Sequence, residues 1–182
     1  PAASVMTDLS ESLMEFGEQL SQHPDELLSK QILLQQKLMS LYQQTTLRFL
    51  GQEPEPVIEP EPTDRRFKDE EWTSNIVFDY IKQFYLIVAE YLMSLSQEMD
   101  DLGDHAKKQL AFFTRQYINA LSPSNYPLTN PEVLRKTKET GGANLIEGME
   151  QLIRDLEESF GGLNVAMTDM AAFKVGTNVA TT

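Results

Sequence analysis

The spacing of apolar residues over the first fifty positions predicts amphipathic helices. A long helix begins at Pro24, because proline followed by two acidic residues suits a first helical turn. A shorter amphipathic segment precedes it. Its apolar positions and those of the long helix are Leu9, Leu13, Phe16, Leu20, Leu28, Ile32, Met39 and Tyr42, with further leucines widening the stripe.

This apolar stripe has two interpretations that the sequence leaves open. It could pack on the rest of the domain or on a second copy of the chain. It could instead be a docking face for a partner helix or for a polymer. Leu13, Phe16, Leu20, Leu28, Ile32, Met39 and Tyr42 are the candidate residues of such a face.

Residues 51–63 form the clearest boundary in the chain. Repeated Glu-Pro pairs fix φ, remove amide donors and repel one another, so the segment cannot be a helix or an inner strand. A solvated linker is favoured over a recognition site. The sequence therefore predicts an amphipathic helical arm over residues 1–50, an acidic proline-rich linker over 51–63, and a helical domain over 64–182.

Start and stop signals divide the third region into helices. Pro123 pushes Ser122 out of the helical conformation, and Asn130-Pro131 places an N-cap before a proline at the first helical position. Gly141 and Gly142 suit a left-handed helix end. The predicted helices cover residues 75–101, 105–121, 131–140 and 144–160.

The last twenty residues change to a strand period. Leu163, Val165 and Met167 alternate with polar or small residues, and Phe173 and Val175 repeat the pattern. Two short strands do not form a stable sheet alone, so they would join a larger one. The predicted fold is mainly α, with two short C-terminal strands.

Composition excludes several classes of partner and site. The 182 residues carry a net charge of −13, which argues against nucleic acid as a partner, and they include no cysteine for a disulfide or a thiolate nucleophile. No secretory signal or transmembrane segment is predicted. The most apolar stretch, residues 76–99, is interrupted by Asp79, Lys82, Gln83, Glu90 and Glu98. No cofactor or metal is expected.

A polar cluster follows the helix predicted over 105–121. Ser122, Ser124 and Asn125 could suggest a catalytic set, but neither His23 nor His105 has the context of a base, and no Gly-x-Ser-x-Gly elbow exists. Turn and capping hydrogen bonds explain these residues. No catalytic residue is predicted, and the chain is expected to be inactive alone.

Several blocks together resemble the N-terminal region of single-chain polyhydroxyalkanoate synthases. They are Asp64 to Trp72, residues 113–117 (Phe-Thr-Arg-Gln-Tyr), 120–134, 141–148 and 173–176, in matching order and spacing. The motif residues, expected to be structural, are Asp64, Arg65, Arg66, Phe67, Trp72, Arg115, Tyr117, Ser122, Pro123, Asn125, Asn130, Pro131, Gly141, Gly142, Asn144 and Gly148.

The resemblance implies support rather than chemistry. The family polymerises (R)-3-hydroxyacyl-CoA through a cysteine, an aspartate and a histidine of an α/β-hydrolase-like domain, which would lie downstream of Thr182 and contain the sheet that the two strands join. The region would support that catalytic domain, favour a dimer with a second synthase subunit, and associate with polyester granules or phasin-type proteins in the bacterial cytoplasm. A stand-alone granule-coating or lipid-surface protein is the alternative, and an independent serine hydrolase the weakest hypothesis.

Overall fold

The computed structural model describes residues 13–14, 16–18, 21–97 and 103–158, and most of these residues are helical. Residues 13–14, 16–18 and 21–22 lie in helical conformation before the long arm helix. No residue within the described ranges lies in a strand. The helices are α1 (Pro24–Phe49), α2 (Glu71–Ser74), α3 (Ile76–Gln97), α4 (Asp104–Ala120), α5 (Pro131–Glu139) and α6 (Ala143–Glu158), with 3-10 turns at Arg65–Phe67 and Pro123–Asn125.

Several helix ends lie at the capping residues that the sequence predicts. The Asn130 side chain accepts a hydrogen bond from the Glu132 amide at 3.0 Å, and α5 begins at Pro131 as predicted. Gly141 and Gly142 follow α5 with φ of 61° and 93°, the left-handed conformation that glycine tolerates. α4 ends before Pro123, in agreement with the predicted stop.

The helix predicted over 75–101 begins at Ile76, one residue after its predicted start, and a short helix precedes it. Asn75 is extended, with φ −88° and ψ 120°, and its side chain accepts a hydrogen bond from the Val77 amide. It therefore caps α3 and separates it from α2, a short helix that the sequence pattern did not predict. The described part of α3 ends at Gln97, and the predicted strands at 163–175 lie outside the described residues.

Helix α3 is the centre of the N-terminal unit, and α1, α2 and α4 pack against it. Leu41 of α1 and Ile87 of α3 are almost completely buried. Ala106 and Leu110 of α4 form a small buried cluster, and Phe16 packs against it from the segment before α1.

Helix α1 leaves one of its apolar stripes exposed. Leu28, Ile32, Met39 and Tyr42 are between 49% and 66% exposed, whereas Leu41 is 0% and Gln44 is 6% exposed. The buried side of α1 includes polar residues because α3 presents polar groups to it. The division into arm, linker and domain stays a prediction, to which the structure adds that α1 packs on α3.

The chain consists of two compact units, residues 1–134 and 135–182. The described part of the second unit contains most of α5 and all of α6. Among the helices that the structure describes, none combines the length and apolar character that a membrane crossing requires.

Candidate functional site

Arg66 joins the turn at residues 65–67 to two helices. Its guanidinium binds the carboxylate of Asp64, with Nη2 to Oδ2 at 2.8 Å, and Asp64 Oδ1 also accepts from the Arg66 amide at 3.0 Å. Arg66 Nη1 donates to the Tyr85 hydroxyl at 2.7 Å and to Asn119 Oδ1 at 3.2 Å. The Tyr85 hydroxyl in turn donates to the Ile118 carbonyl. The motif arginine therefore connects this segment to α3 and α4.

Asp64 and Arg66 shift each other's pKa. Hydrogen bonds from the Arg66 side chain lower the pKa of Asp64, and the hydrogen bond to the Asp64 carboxylate raises the pKa of Arg66. Arg65, the neighbouring motif residue, is exposed. The structure thus brings Asp64 and Arg66 together and leaves Arg65 at the surface.

Phe67 and Trp72 anchor the same block in the core. Trp72 is 1% exposed, and the two rings meet edge to face with centroids 5.0 Å apart. Such pairs contribute about 0.5–1.5 kcal/mol beyond the burial of their area. The Trp72 carbonyl accepts a hydrogen bond from Lys82 Nζ at 2.8 Å. The spacing of the two aromatic residues therefore serves packing.

A buried polar network lies between α1 and α3. The Asp79 carboxylate contacts Arg48 Nη1 at 2.6 Å and Lys82 Nζ at 2.9 Å. Gln83 Nε2 donates to Asp79 Oδ2 at 2.8 Å and to Gln44 Oε1 at 3.2 Å. Buried charges are tolerated when they are paired and hydrogen-bonded in this way.

The sequence carries a signal for this network. Asp79, Lys82 and Gln83 are polar interruptions of an apolar helix, and their i, i+3, i+4 spacing places them on one face. Polar residues that share a face of an otherwise buried helix indicate a polar partner. The partners Arg48 and Gln44 come from a helix about 35 residues away in sequence, so the spacing alone does not identify them.

The proline-rich segment follows the same face. Gln83 Oε1 accepts hydrogen bonds from the Val57 amide at 2.8 Å and from the Ile58 amide at 3.4 Å. Val57 and Ile58 are half-buried, and a cavity of about 760 Å³ lies between the prolines and α1 and α3. One glutamine side chain therefore binds α1, α3 and the segment between them.

The polar cluster after α4 is a network of turn hydrogen bonds. Ser122 is 0% exposed, and its hydroxyl lies 2.9 Å from that of Ser124. Asn125 Nδ2 donates to the Asn119 carbonyl and Asn130 Nδ2 to the Ser124 carbonyl, both at 2.8 Å. Pro123 and Pro131, which flank this network, are buried.

Helix α4 separates His105 from this cluster. His105 lies in the first turn of α4, and Ser122 follows the end of that helix. The 17 residues of α4 span about 25 Å at 1.5 Å per residue. Within the described residues there is also no group of three histidine, cysteine or carboxylate side chains that could hold a metal ion. The hydrogen bonds of Ser122 and its neighbours shape a turn.

The motif residues of the second unit form the start of α6. Thr140 Oγ1 lies 2.9 Å from Asn144 Oδ1, and Asn144 Nδ2 donates to Thr137 Oγ1 at 3.0 Å. Together with Gly141 and Gly142, these contacts determine how α6 leaves the turn after α5. Gly148 lies inside α6.

The remaining candidate residues are mostly exposed. Arg115 and Tyr117 lie on an exposed part of α4, and Leu13 is exposed like the stripe of α1. Phe16 instead packs on the Ala106 and Leu110 cluster. Leu20 lies outside the described residues.

Comparison with known proteins identifies the family. Residues 63–182 match the model of the poly-beta-hydroxybutyrate polymerase (PhaC) N-terminus. The chain belongs to the PhaC N-terminus family. All five of the resembling blocks lie inside the matched region, whereas α1 precedes it.

Longer relatives extend the similarity over nearly the whole chain. A poly(3-hydroxyalkanoate) polymerase of Methylorubrum extorquens is 39% identical over 99% of the chain, and the polymerase subunit PhaC of Rhizobium meliloti is 32% identical over 99% of it. The chain spans 30% of the length of each. For the subunit of Cupriavidus necator, the match is 34% identical over 65% of the chain and 19% of the relative. No solved structure matches the chain significantly.

Proposed function

We propose that this chain is the non-catalytic N-terminal part of a polymerase that joins (R)-3-hydroxyacyl-CoA units into polyester. The supporting observation is the family match over residues 63–182 in a sequence that contains no cysteine. The described hydroxyl, amide and carboxylate groups of the motifs hold turns and helices together. Their role is to shape a support for the catalytic part.

A direct assay tests this proposal. The purified chain is incubated with 3-hydroxybutyryl-CoA, and free CoA is followed with a thiol reagent. No release above the rate of buffer alone is expected, because no thiolate nucleophile is present. CoA release that scales with the concentration of the chain would contradict the proposal.

The same proposal includes association with a polyester granule in the bacterial cytoplasm, dimerisation with a second polymerase subunit, and contact with phasin-type proteins. The observation that favours granule association is the outward stripe of α1. Its apolar side chains, Leu28, Ile32, Met39 and Tyr42, are exposed along four turns, with Gln31, Gln35 and Gln43 among them. An apolar and uncharged strip suits a surface of methyl and ester groups. It equally supports the alternative of a protein that coats granules without a catalytic part.

Charge placed on the stripe tests granule association. Met39→Glu is expected to reduce co-sedimentation of the chain with amorphous poly(3-hydroxybutyrate) granules by at least about 10-fold, because a carboxylate at the contact would lose its hydration. Ser40→Glu adds the same charge beside the stripe and is the matched control. Equal sedimentation of the two variants and the unmodified chain would exclude this face as the contact.

A further inference from the structure

Helix α6 presents an apolar face that the described chain leaves exposed. Five of its apolar side chains are between 41% and 63% exposed. Their i, i+1, i+4, i+7, i+8 spacing places them on one side of the helix, which is the pattern of a helix that packs against another structure. The residues of this α6 face are Leu145, Ile146, Met149, Leu152 and Ile153.

Gly148 lies at the edge of the α6 face and has no explanation within the described chain. A glycine inside a helix costs about 1 kcal/mol relative to alanine. A Cβ atom added at Gly148 would meet nothing within 4 Å, so no neighbour requires its absence. A glycine at such a position is expected where the backbone of another structure approaches closely.

The start of α6 is held in a defined conformation. The Asn144 side chain contacts both Thr137 and Thr140 of the preceding segment. The Gly142 amide donates to the Thr137 carbonyl at 2.9 Å. These hydrogen bonds fix the first turn of α6, so the α6 face starts from an ordered helix end.

The partner of the α6 face follows from where the helix lies and from its charge. α6 lies within the region that the family model covers, so we infer that its partner is one that family members share. About 70% of the length of the first relatives lies outside the part that this chain matches, and that remainder could supply the partner. A second copy of α6 is disfavoured by repulsion. The helix carries one basic residue, Arg154, and five acidic residues: Glu147, Glu150, Asp155, Glu157 and Glu158.

We propose that the α6 face is the docking surface for the remaining part of the polymerase chain, with Gly148 admitting a close backbone contact. This inference rests on the proposed function. The partner surface would be apolar and would offer main chain, rather than a large side chain, opposite Gly148.

A hybrid polymerase tests the docking surface. The chain replaces the matching 180 residues of the Methylorubrum extorquens polymerase. Ile146→Lys is expected to reduce its polymerisation rate by at least about 10-fold, because the lysine would be buried in the contact. Gln151→Lys puts the same side chain on the opposite side of α6 and is expected to change the rate by less than about 2-fold.

The same substitutions are also measured in the isolated chain, which lacks the proposed partner. There Ile146 is exposed, so Ile146→Lys is expected to shift the thermal midpoint by no more than about 2 °C. Gly148→Ala should raise the midpoint of the α6 helical signal in the isolated chain by roughly 2 °C, and should lower the activity of the hybrid. A substitution that raises the thermal midpoint of the isolated chain but lowers the activity of the hybrid acts on a contact with another part of the polymerase. It does not act through the intrinsic stability of the helix.

Two results would overturn the docking proposal, and a third would overturn the proposed function on which it rests. An active hybrid that is unaffected by Ile146→Lys would show that α6 does not dock. A dimer or granule association of the isolated chain that Ile146→Lys abolishes would assign the α6 face to a second copy or to polyester. An inactive hybrid with the unmodified chain would instead contradict the proposed function, since the chain would then not replace a polymerase N-terminus.

Discussion

Asp64 and Arg66 show how two neighbouring residues can position a segment on distant helices. Asp64 binds both the amide and the guanidinium of Arg66, which orients the guanidinium toward Tyr85 and Asn119. The Asp64 carboxylate forms an ion pair with Arg66 only when it is ionised. The pair therefore makes the attachment of residues 64–67 sensitive to acid.

The direction of this pH dependence follows from the lowered pKa of Asp64. Its stabilising contribution is complete above the unfolded-state value, near 3.8, and is lost as the pH falls through the lower folded value. Asp64→Asn is expected to lower the free energy of unfolding by about 1 kcal/mol near neutral pH. The difference from the unmodified chain should shrink between about pH 5 and pH 2.

Chemical denaturation of both proteins over that pH range measures the difference. Glu61→Gln removes the same charge from an exposed residue of the preceding segment and is the control. A difference that stays constant with pH would show that the ionised carboxylate of Asp64 does not contribute.

At the scale of elements, the contact of α1 with α3 depends on polar groups. Asp79 lies between the cations of Arg48 and Lys82, and Gln83 extends the network to the proline-rich segment. Removing one partner of such a group leaves the others buried without compensation. The network therefore makes the association of α1 and α3 specific to one register.

Asp79→Asn is expected to lower the free energy of unfolding by about 3–5 kcal/mol, because the buried Lys82 and the partly buried Arg48 lose their counter-charge. Glu90→Gln, on the same helix, removes a half-exposed carboxylate that pairs with Lys37, and should cost less than about 1 kcal/mol. Urea titration followed by circular dichroism measures both. If the two substitutions cost the same, the network does not stabilise the contact.

At the scale of the whole molecule, two apolar faces point to two kinds of partner. The α1 stripe precedes the region that the family model covers, and the α6 face lies within it. We propose the remaining polymerase chain as the partner of the α6 face, and a polyester surface as the partner of the α1 stripe.

The sequence alone was sufficient for features that depend on neighbouring residues. Asn130-Pro131 and Gly141-Gly142 mark a helix start and a helix end because caps and left-handed turns involve residues a few positions apart. The motif blocks also identified the family. The short helix α2 was not predicted, because four residues are too few to show an apolar period.

Only the tertiary structure decided which face of α1 is buried and what the motif residues contact. The sequence left open whether Leu28, Ile32, Met39 and Tyr42 are buried, and the polar groups of Asp79, Lys82 and Gln83 on α3 required Gln44 and Arg48 opposite them. Burying the stripe there would have left those polar groups without partners, which costs more than exposing a few apolar side chains. Such pairing joins residues far apart in sequence, and it is established only when the helices meet.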